Sequence, residues 1–519
     1  MSSKSNKILV YKKYIARIWS GAFIFIVVIG CSSTKNHYQP GQKFSAAALQ
    51  VDLEVARNTY MKNHPAIDWY NSRDSINKRF EQVKQSITDS LTEPEFRLLL
   101  SYAIEAIRCG HTSVLPSKAY IKHYQKNPLP QFPFEVKFWG KDSLVVVRSL
   151  LKDSFALPAG TVIKSINGVS VEALIAPMKQ YISTDGFSEG FKDVIISNSF
   201  GTRLRWMYGP LKQYKIRYID SLGIEKENTY PNYQPMKPDF KIVAKDSASL
   251  AVKQKVQQDS TGLYAKNFRQ LKTKMVGNWE HDSSLSFSIF TLNTFSGTKV
   301  RGLIRRGFKD LSKSGNKNLV IDLRNNGGGK INNSTLLTRY LVNRPFRVAD
   351  SASAVSLKLA YPKYTQASWV YQFFSWLFTS RQADGRYHLR TMEKKYYRPK
   401  QKHHFSGNVF VITAGGSFSA SSLFLSKIVN QPNVITVGEE TGGGARGNSA
   451  IMTPQVTLPN TKVRIRLPLF KLVSDATVPD IGRGIMPKQP IPPNSWFIKT
   501  GQDPKMTWIK NYLKQNSSK

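Results

Sequence analysis

Two glycine- and serine-rich junctions in the C-terminal half carry residue types that can do chemistry. The first is Asp322-Leu-Arg-Asn-Asn-Gly-Gly-Gly329, at the carboxyl end of a short apolar run. Glycines there let the backbone approach a ligand and leave N–H groups free to bond. A phosphate loop is excluded: Lys330 is followed by Ile331 rather than Ser or Thr, and Arg324 stands where the first glycine belongs. The second junction is Thr413-Ala-Gly-Gly-Ser-Phe-Ser-Ala-Ser-Ser422, between an apolar run and a helical pattern. A serine between strand and helix is exposed at the sheet end, where the helix N-terminus favours a developing negative charge. The lipase elbow Gly-x-Ser-x-Gly is absent, which disfavours an ordinary α/β-hydrolase. Ser419 reads equally well as a helix cap, a role for which Ser417, Ser421 and Ser422 compete. A third place is Cys109-Gly-His-Thr112. A neutral imidazole accepts a proton at physiological pH, where a lysine would need a large pKa depression. Taken alone, His111 reads more often as structural. Cys109, the other candidate nucleophile, reads as a small buried thiol.

The elements that must position these residues follow from periodicity. Residues 45–125 are helical; Thr92 with Glu95 forms a capping box, and Phe96, Leu99, Leu100, Ala103, Ile104 and Ile107 mark an apolar stripe. That helix is expected to end at Gly110. Residues 128–215 turn to strands, one closing on Asn167-Gly168 before a helix over 171–182. This order resembles a PDZ domain, although Thr161 stands where that pattern has aspartate. Residues 216–285 read as connecting strands and loops. From 286 to 493 short apolar runs alternate with amphipathic helices, as in a parallel sheet covered on both faces. The stretch 346–405 interrupts that core as an insertion; within it 364–378 is crowded with aromatics and reads as a lid, a membrane-facing patch or a packed helix. Residues 494–519 read as a basic tail.

Composition bounds the function. The chain has 519 residues, 75 Lys+Arg against 34 Asp+Glu, and two cysteines. Two cysteines cannot build a disulfide framework or a four-cysteine zinc site. The formal charge of +41 invites a nucleic-acid reading, yet no zinc finger, RNA-binding signature or basic zipper is present. Residues 1–30 pair a basic start with a short apolar stretch, Ile18 to Gly30, which as a helix spans roughly 20 Å and falls short of a bilayer. That is the pattern of a secretory leader. Its end, Val28-Ile-Gly-Cys31, resembles the bacterial lipobox, which implies lipidation at Cys31 and a tether over 31–44. Serines rather than aspartate follow Cys31, favouring the outer membrane. No nucleic-acid partner is expected of an exported chain; anionic envelope or host polymers fit its charge better.

Together the motifs resemble the tail-specific (C-terminal processing) serine proteases, which include the tricorn core protease. Their pattern is Asp-Leu-Arg-x-Asn-x-Gly-Gly, then Phe-Ser-Ala before a helix, then Gly-Glu-x-Thr-x-Gly. This chain has Asp322-Leu323-Arg324, Asn326, Gly328-Gly329, Phe418-Ser419-Ala420 and Gly438-Glu439-Glu440-Thr441-Gly442. The resemblance covers roughly 90–490. It implies an α/β protease core, a split α/β sandwich, behind an N-terminal helical segment and a PDZ-like β-rich domain. It implies Ser419 as nucleophile and the amides of Gly328 and Ala420 as oxyanion hole. The lysine of the Ser-Lys branch would fall at position 444, which is glycine, and Lys427 is a poor substitute. The tricorn-like branch instead takes a histidine from the N-terminal part, implying His111 as base. Asp480 is the expected orienting acid, ahead of Glu439 and Glu440, although Pro487-Lys488 departs from the usual Pro-Asp.

The implied activity is serine-type hydrolysis of peptide bonds in exported polypeptides, without metal or cofactor. The lost lysine motivates an alternative: a catalytically inactive peptide-binding lipoprotein on the same scaffold.

Overall fold

The computed structural model describes residues 38–139, 143–152, 155–220, 222–235, 276–282, 286–479 and 481–517. The leader, Cys31 and Asp480 lie outside the described residues.

Three helices open the described chain: α1 (Ala46–Asn63), α2 (Arg73–Ser86) and α3 (Glu93–Glu105). The capping box starts α3 as expected, with the Thr92 N–H donating to Glu95 Oε2 at 2.8 Å. Its stripe of Phe96, Leu100, Ala103 and Ile104 is buried against Leu53, Tyr60 and Phe80 of the other two helices. The helix stops at Glu105, short of the expected Gly110, because Arg108 takes a left-handed backbone (φ 56°). That turn aims Cys109-Gly110-His111 away from the helix axis. The next residues form β1 (Ser113–Leu115), which pairs with β14 (Arg464–Arg466) from the far end of the chain. His111 is thereby held between a helix end and a strand.

An antiparallel sheet follows, built from β2 (Phe134–Trp139), β3 (Ser143–Ser149), β4 (Val162–Ile166), β5 (Gln213–Ile219) and β6 (Glu225–Pro231). The Asn167-Gly168 turn forms as its sequence dictates, both residues having positive φ, and Ile166 pairs with Val169 across it. Two helices cover the sheet, α4 (Val171–Lys179) and the longer α5 (Glu189–Tyr208), and the sheet continues past residue 215.

The remaining core is a six-stranded sheet. Its order is β7 (Gly277–Asp282), β8 (Phe287–Leu292), β9 (Asn318–Asp322), β11 (Asn408–Thr413), β12 (Val434–Gly438) and β16 (Gln489–Pro490). All neighbours are parallel except β7 with β8. One face packs on α6 (Lys299–Ser314), α7 (Ile331–Arg339) and α9 (Ala420–Ile428) through Phe308, Leu337 and Phe424. The other face is covered by α11 (Pro504–Ser517), whose Ile509 and Leu513 are buried against Val320, Phe410 and Val437. The expected basic tail over 494–519 is therefore a correction: α10 (Ser495–Thr500) and α11 bury Ile498, Ile509 and Leu513. Its lysines misled because they are spaced between apolar residues at helical intervals. The stretch 346–405 is stitched into the rest, since β10 (Ser351–Ala354) pairs with β15 (Phe470–Val473), itself paired with β13 (Gly447–Ala450). It also holds the aromatic helix α8 (Ser368–Phe378). Among the described residues no helix is long and apolar enough to cross a membrane.

Candidate active site

The parallel strands β9 and β11 end side by side, and each delivers a loop. The loop after β9 is fixed by Arg324, whose Nη2 lies 2.9 Å from Asp322 Oδ2 and which also pairs with Asp503. Burial alone would lower the Arg324 pKa, but the two carboxylates win and raise it, so the cation is permanent. Asn326, fully buried, donates to the Leu292 carbonyl at 2.9 Å, and its own carbonyl receives the Phe418 N–H at 3.0 Å and the Ser421 hydroxyl at 2.8 Å. Asp322, Arg324 and Asn326 thus build the frame on which the serine loop rests.

The serine loop settles the competition among its hydroxyls. Ser417 donates to the Leu323 carbonyl at 2.8 Å and Ser421 to Asn326, while Ser422 is buried. Ser419 makes no side-chain cap bond to α9. Within 415–425 it is the residue that solvent reaches. Its backbone is strained, with φ 56° and ψ −113°, outside the regions open to ordinary residues. Its Oγ faces His111 Nε2 at 3.0 Å, across 308 residues of sequence. A serine at hydrogen-bond distance from an imidazole can hand over its proton as the oxygen attacks.

Aromatic rings hold the imidazole. Phe418 lies on His111 with centroids 4.9 Å apart, and Phe191 stacks on Phe418 at 4.4 Å. Behind the ring sits an acid that sequence reasoning missed. Asp185 is buried, accepts the Gly110 N–H at 2.8 Å, and has Oδ1 3.9 Å from His111 Nδ1. That separation is too long for a hydrogen bond, and both His111 Nδ1 and Asp185 Oδ2 are buried without a partner. Asp185 is fixed by its own loop: the Gly186 N–H donates to the Arg108 carbonyl at 2.9 Å and the Phe187 N–H to the Gly482 carbonyl at 2.7 Å. No spacing rule joins residue 185 to 111 or 419. The available signal was an acid in a Thr-Asp-Gly turn between two helices.

The two acids considered beside Asp480 are occupied elsewhere. Glu439 pairs with Lys505, and Glu440 takes Arg483 Nε and the Gly484 N–H at 2.9 and 2.7 Å. Lys427 donates to the Ser474 carbonyl, and burial lowers its pKa. A side chain at Gly444 would meet the Gly447 carbonyl oxygen at 2.6 Å.

Of the two expected oxyanion amides, Ala420 stands first in α9, where an N–H has no carbonyl of its own helix to bond. The Gly328 N–H instead donates to Asn326 Oδ1 at 3.0 Å. Gly328 still shapes the site: at φ 96°, a Cβ there would lie 2.7 Å from Ser419 Cβ and 2.9 Å from the Ala420 nitrogen.

Cys109 Sγ, a His111 ring nitrogen and an Asp185 oxygen lie within 4.8 Å of one another, the arrangement among the described residues best placed to hold a metal ion. A thiol must ionise to ligate or attack. Burial first, then the nearby Asp185, push the Cys109 thiol far up, and it is a poor candidate for either task.

Residues 287–488 match the model of peptidase family S41. All three motifs fall inside that range. No curated protein matches the chain in sequence. Among solved structures, mature CPAF aligns with a TM-score of 0.63 at 13% identity, over 91% of this chain and 99% of that one. The same protein complexed with lactacystin gives 0.61 at 13% identity, over 91% and 98%. The tricorn protease aligns at 0.39 and 14% identity, over 91% of this chain and 37% of its own. At 13% identity the likeness to CPAF is one of fold.

Proposed function

We propose that this chain, with its S41-matched core, is a serine-type endopeptidase that hydrolyses peptide bonds without a Ser-Lys dyad. The observation that carries the reading is the 3.0 Å contact between Ser419 Oγ and His111 Nε2. Nothing in local structure requires it; two parts of the chain 308 residues apart must fold together to make it. Ser419 attacks the substrate carbonyl while His111 takes its proton. The oxyanion settles against the Ala420 amide at the positive end of α9, with Gly328 leaving room for it. His111 then protonates the leaving amine, and water repeats the sequence on the acyl-enzyme. Lysine-free catalysis is supported by the crowded backbone at Gly444 and by Lys427 being bonded elsewhere. Asp185 takes the orienting role that the sequence had offered to Asp480, a shift of about 1 Å sufficing to bring it within hydrogen-bond reach of Nδ1.

The antiparallel sheet with α4 and α5 acts as the PDZ-like unit that receives an extended polypeptide along its edge. Cys31 carries the lipid that ties the enzyme to a bacterial envelope, the outer membrane before the inner, with exported polypeptides as substrates. Labelling with a fluorophosphonate probe tests the reading. Wild type takes the label, and Ser419→Ala and His111→Ala do not. An unlabelled wild type that still binds peptides would replace the enzyme with a peptide-binding lipoprotein.

A further inference from the structure

The helix α8 breaks the ordinary rule for a helix lying on a core. Trp369, Phe373, Phe374, Trp376, Leu377 and Phe378 are 41–66% exposed, and no residue from Ser368 to Phe378 is charged. Its inward contacts are modest: Ser375 is buried near Met452, and Tyr371 packs against the helical core. A contiguous apolar patch of this kind marks a surface with a partner.

The surroundings say which partner. Between residues 355 and 402 stand ten Lys or Arg and two acids, Asp384 and Glu393. Both acids are bonded to His388, at 2.9 and 2.7 Å. Just before α8, Lys363, Tyr364, Thr365 and Gln366 line a cavity of about 360 Å³ whose other walls include Lys118, Lys462 and Arg464. Its lining holds no acidic residue. Tryptophan and phenylalanine beside lysine and arginine form the combination that seats a helix in the headgroup layer of an anionic bilayer. A second copy fits less well. A two-fold interface through α8 would bring the same positive flanks face to face.

We propose that α8, together with the basic cavity at its foot, is a docking surface for an anionic phospholipid bilayer. The aromatic side chains enter the interface while the cavity receives a lipid phosphate. This contact is separate from any acyl chain on Cys31.

Vesicle co-sedimentation tests it with the full chain carrying Cys31→Ser, so that no lipid modification contributes. The probes are vesicles of phosphatidylglycerol with phosphatidylethanolamine, and vesicles of phosphatidylcholine alone. Binding to the anionic vesicles is expected to weaken about tenfold or more in Trp369→Ser/Trp376→Ser. Lys363→Glu/Lys462→Glu removes the preference for anionic over zwitterionic vesicles, and added salt does the same to the parent. All chains share residues 1–44, so differences between them report on this surface alone. Exposed positions leave the fold intact, which circular dichroism verifies. Unchanged affinity in the tryptophan variant overturns the proposal. So does a vesicle-free dimer that the same variant converts to monomer, since α8 would then face a second copy.

Discussion

Asp185 separates a residue that shapes a loop from one that tunes a base. It accepts the Gly110 N–H through Oδ1 at 2.8 Å and stands 3.9 Å from His111 Nδ1. In Asp185→Asn the amide oxygen still accepts from Gly110, so the loop persists while the negative charge is lost. If Asp185 orients and stabilises the imidazole, kcat on a peptide substrate falls by on the order of 10²–10⁴, with KM little changed. Asp185→Glu, which keeps the charge, should recover part of that loss. If the residue only builds the loop, the variant keeps its kcat. Cys109, two residues from the base, contributes packing instead. Its thiol is buried and far from ionising, so alkylating reagents at neutral pH should leave activity intact.

At the scale of elements, the decisive feature is how closely the loop after β9 approaches the start of α9. Gly328 makes that approach, at a backbone angle and distance no other residue tolerates. In Gly328→Ala the new methyl would stand within 3 Å of the Phe418 oxygen, Ser419 Cβ and the Ala420 nitrogen. The serine loop must move and carry the Ala420 amide out of place, so the labelling rate of Ser419 is expected to fall by about 10²–10³, the cost typical of a misplaced oxyanion donor. Circular dichroism should stay near that of wild type. The parallel strands, α6 and the serine loop were legible in the sequence because local pattern and tertiary role agree there. Leu319-Val320-Ile321 is a continuous apolar run, buried throughout, and the glycines of 327–329 follow its end. The helix Glu189–Tyr208 was not legible: its apolar residues are spread around its circumference, and it bends at Ser199. The tail over 494–519 misled for a related reason. Its charges dominate the composition, while Lys505, which reads as solvated, is buried between Glu439 and the Thr413 carbonyl. The motifs pointed to Ser419, His111 and Ala420, and the structure brings the first two to 3.0 Å. They did not point to Asp185, because a contact between distant loops leaves no spacing in the chain.

For the whole molecule, the candidate site lies where three regions meet: the helical segment brings His111, the loop before α5 brings Asp185, and the parallel core brings Ser419. One buried ion pair ties the first two together. Lys192 on α5 reaches Glu105 on α3 at 3.0 Å, both about 5% exposed. Glu105 also holds Arg108 at 3.1 Å, the residue whose left-handed backbone starts the turn into His111. Buried pairs contribute little net stability against apolar replacements, but an orphaned partner is costly. Glu105→Ala leaves Lys192, among the described residues, with Glu189 alone, 3.7 Å away and half exposed. That change is expected to destabilise by about 3–5 kcal/mol, seen as a lowered thermal midpoint, and to slow labelling of Ser419 by misplacing His111. Glu105→Leu/Lys192→Met removes both charges and should recover most of the thermal loss. It should not recover the labelling rate, because Arg108 then lacks the carboxylate that sets its turn. Equal recovery of stability and labelling would mean that the pair serves packing alone, and that the approach of His111 to Ser419 is set by β1 and the aromatic rings.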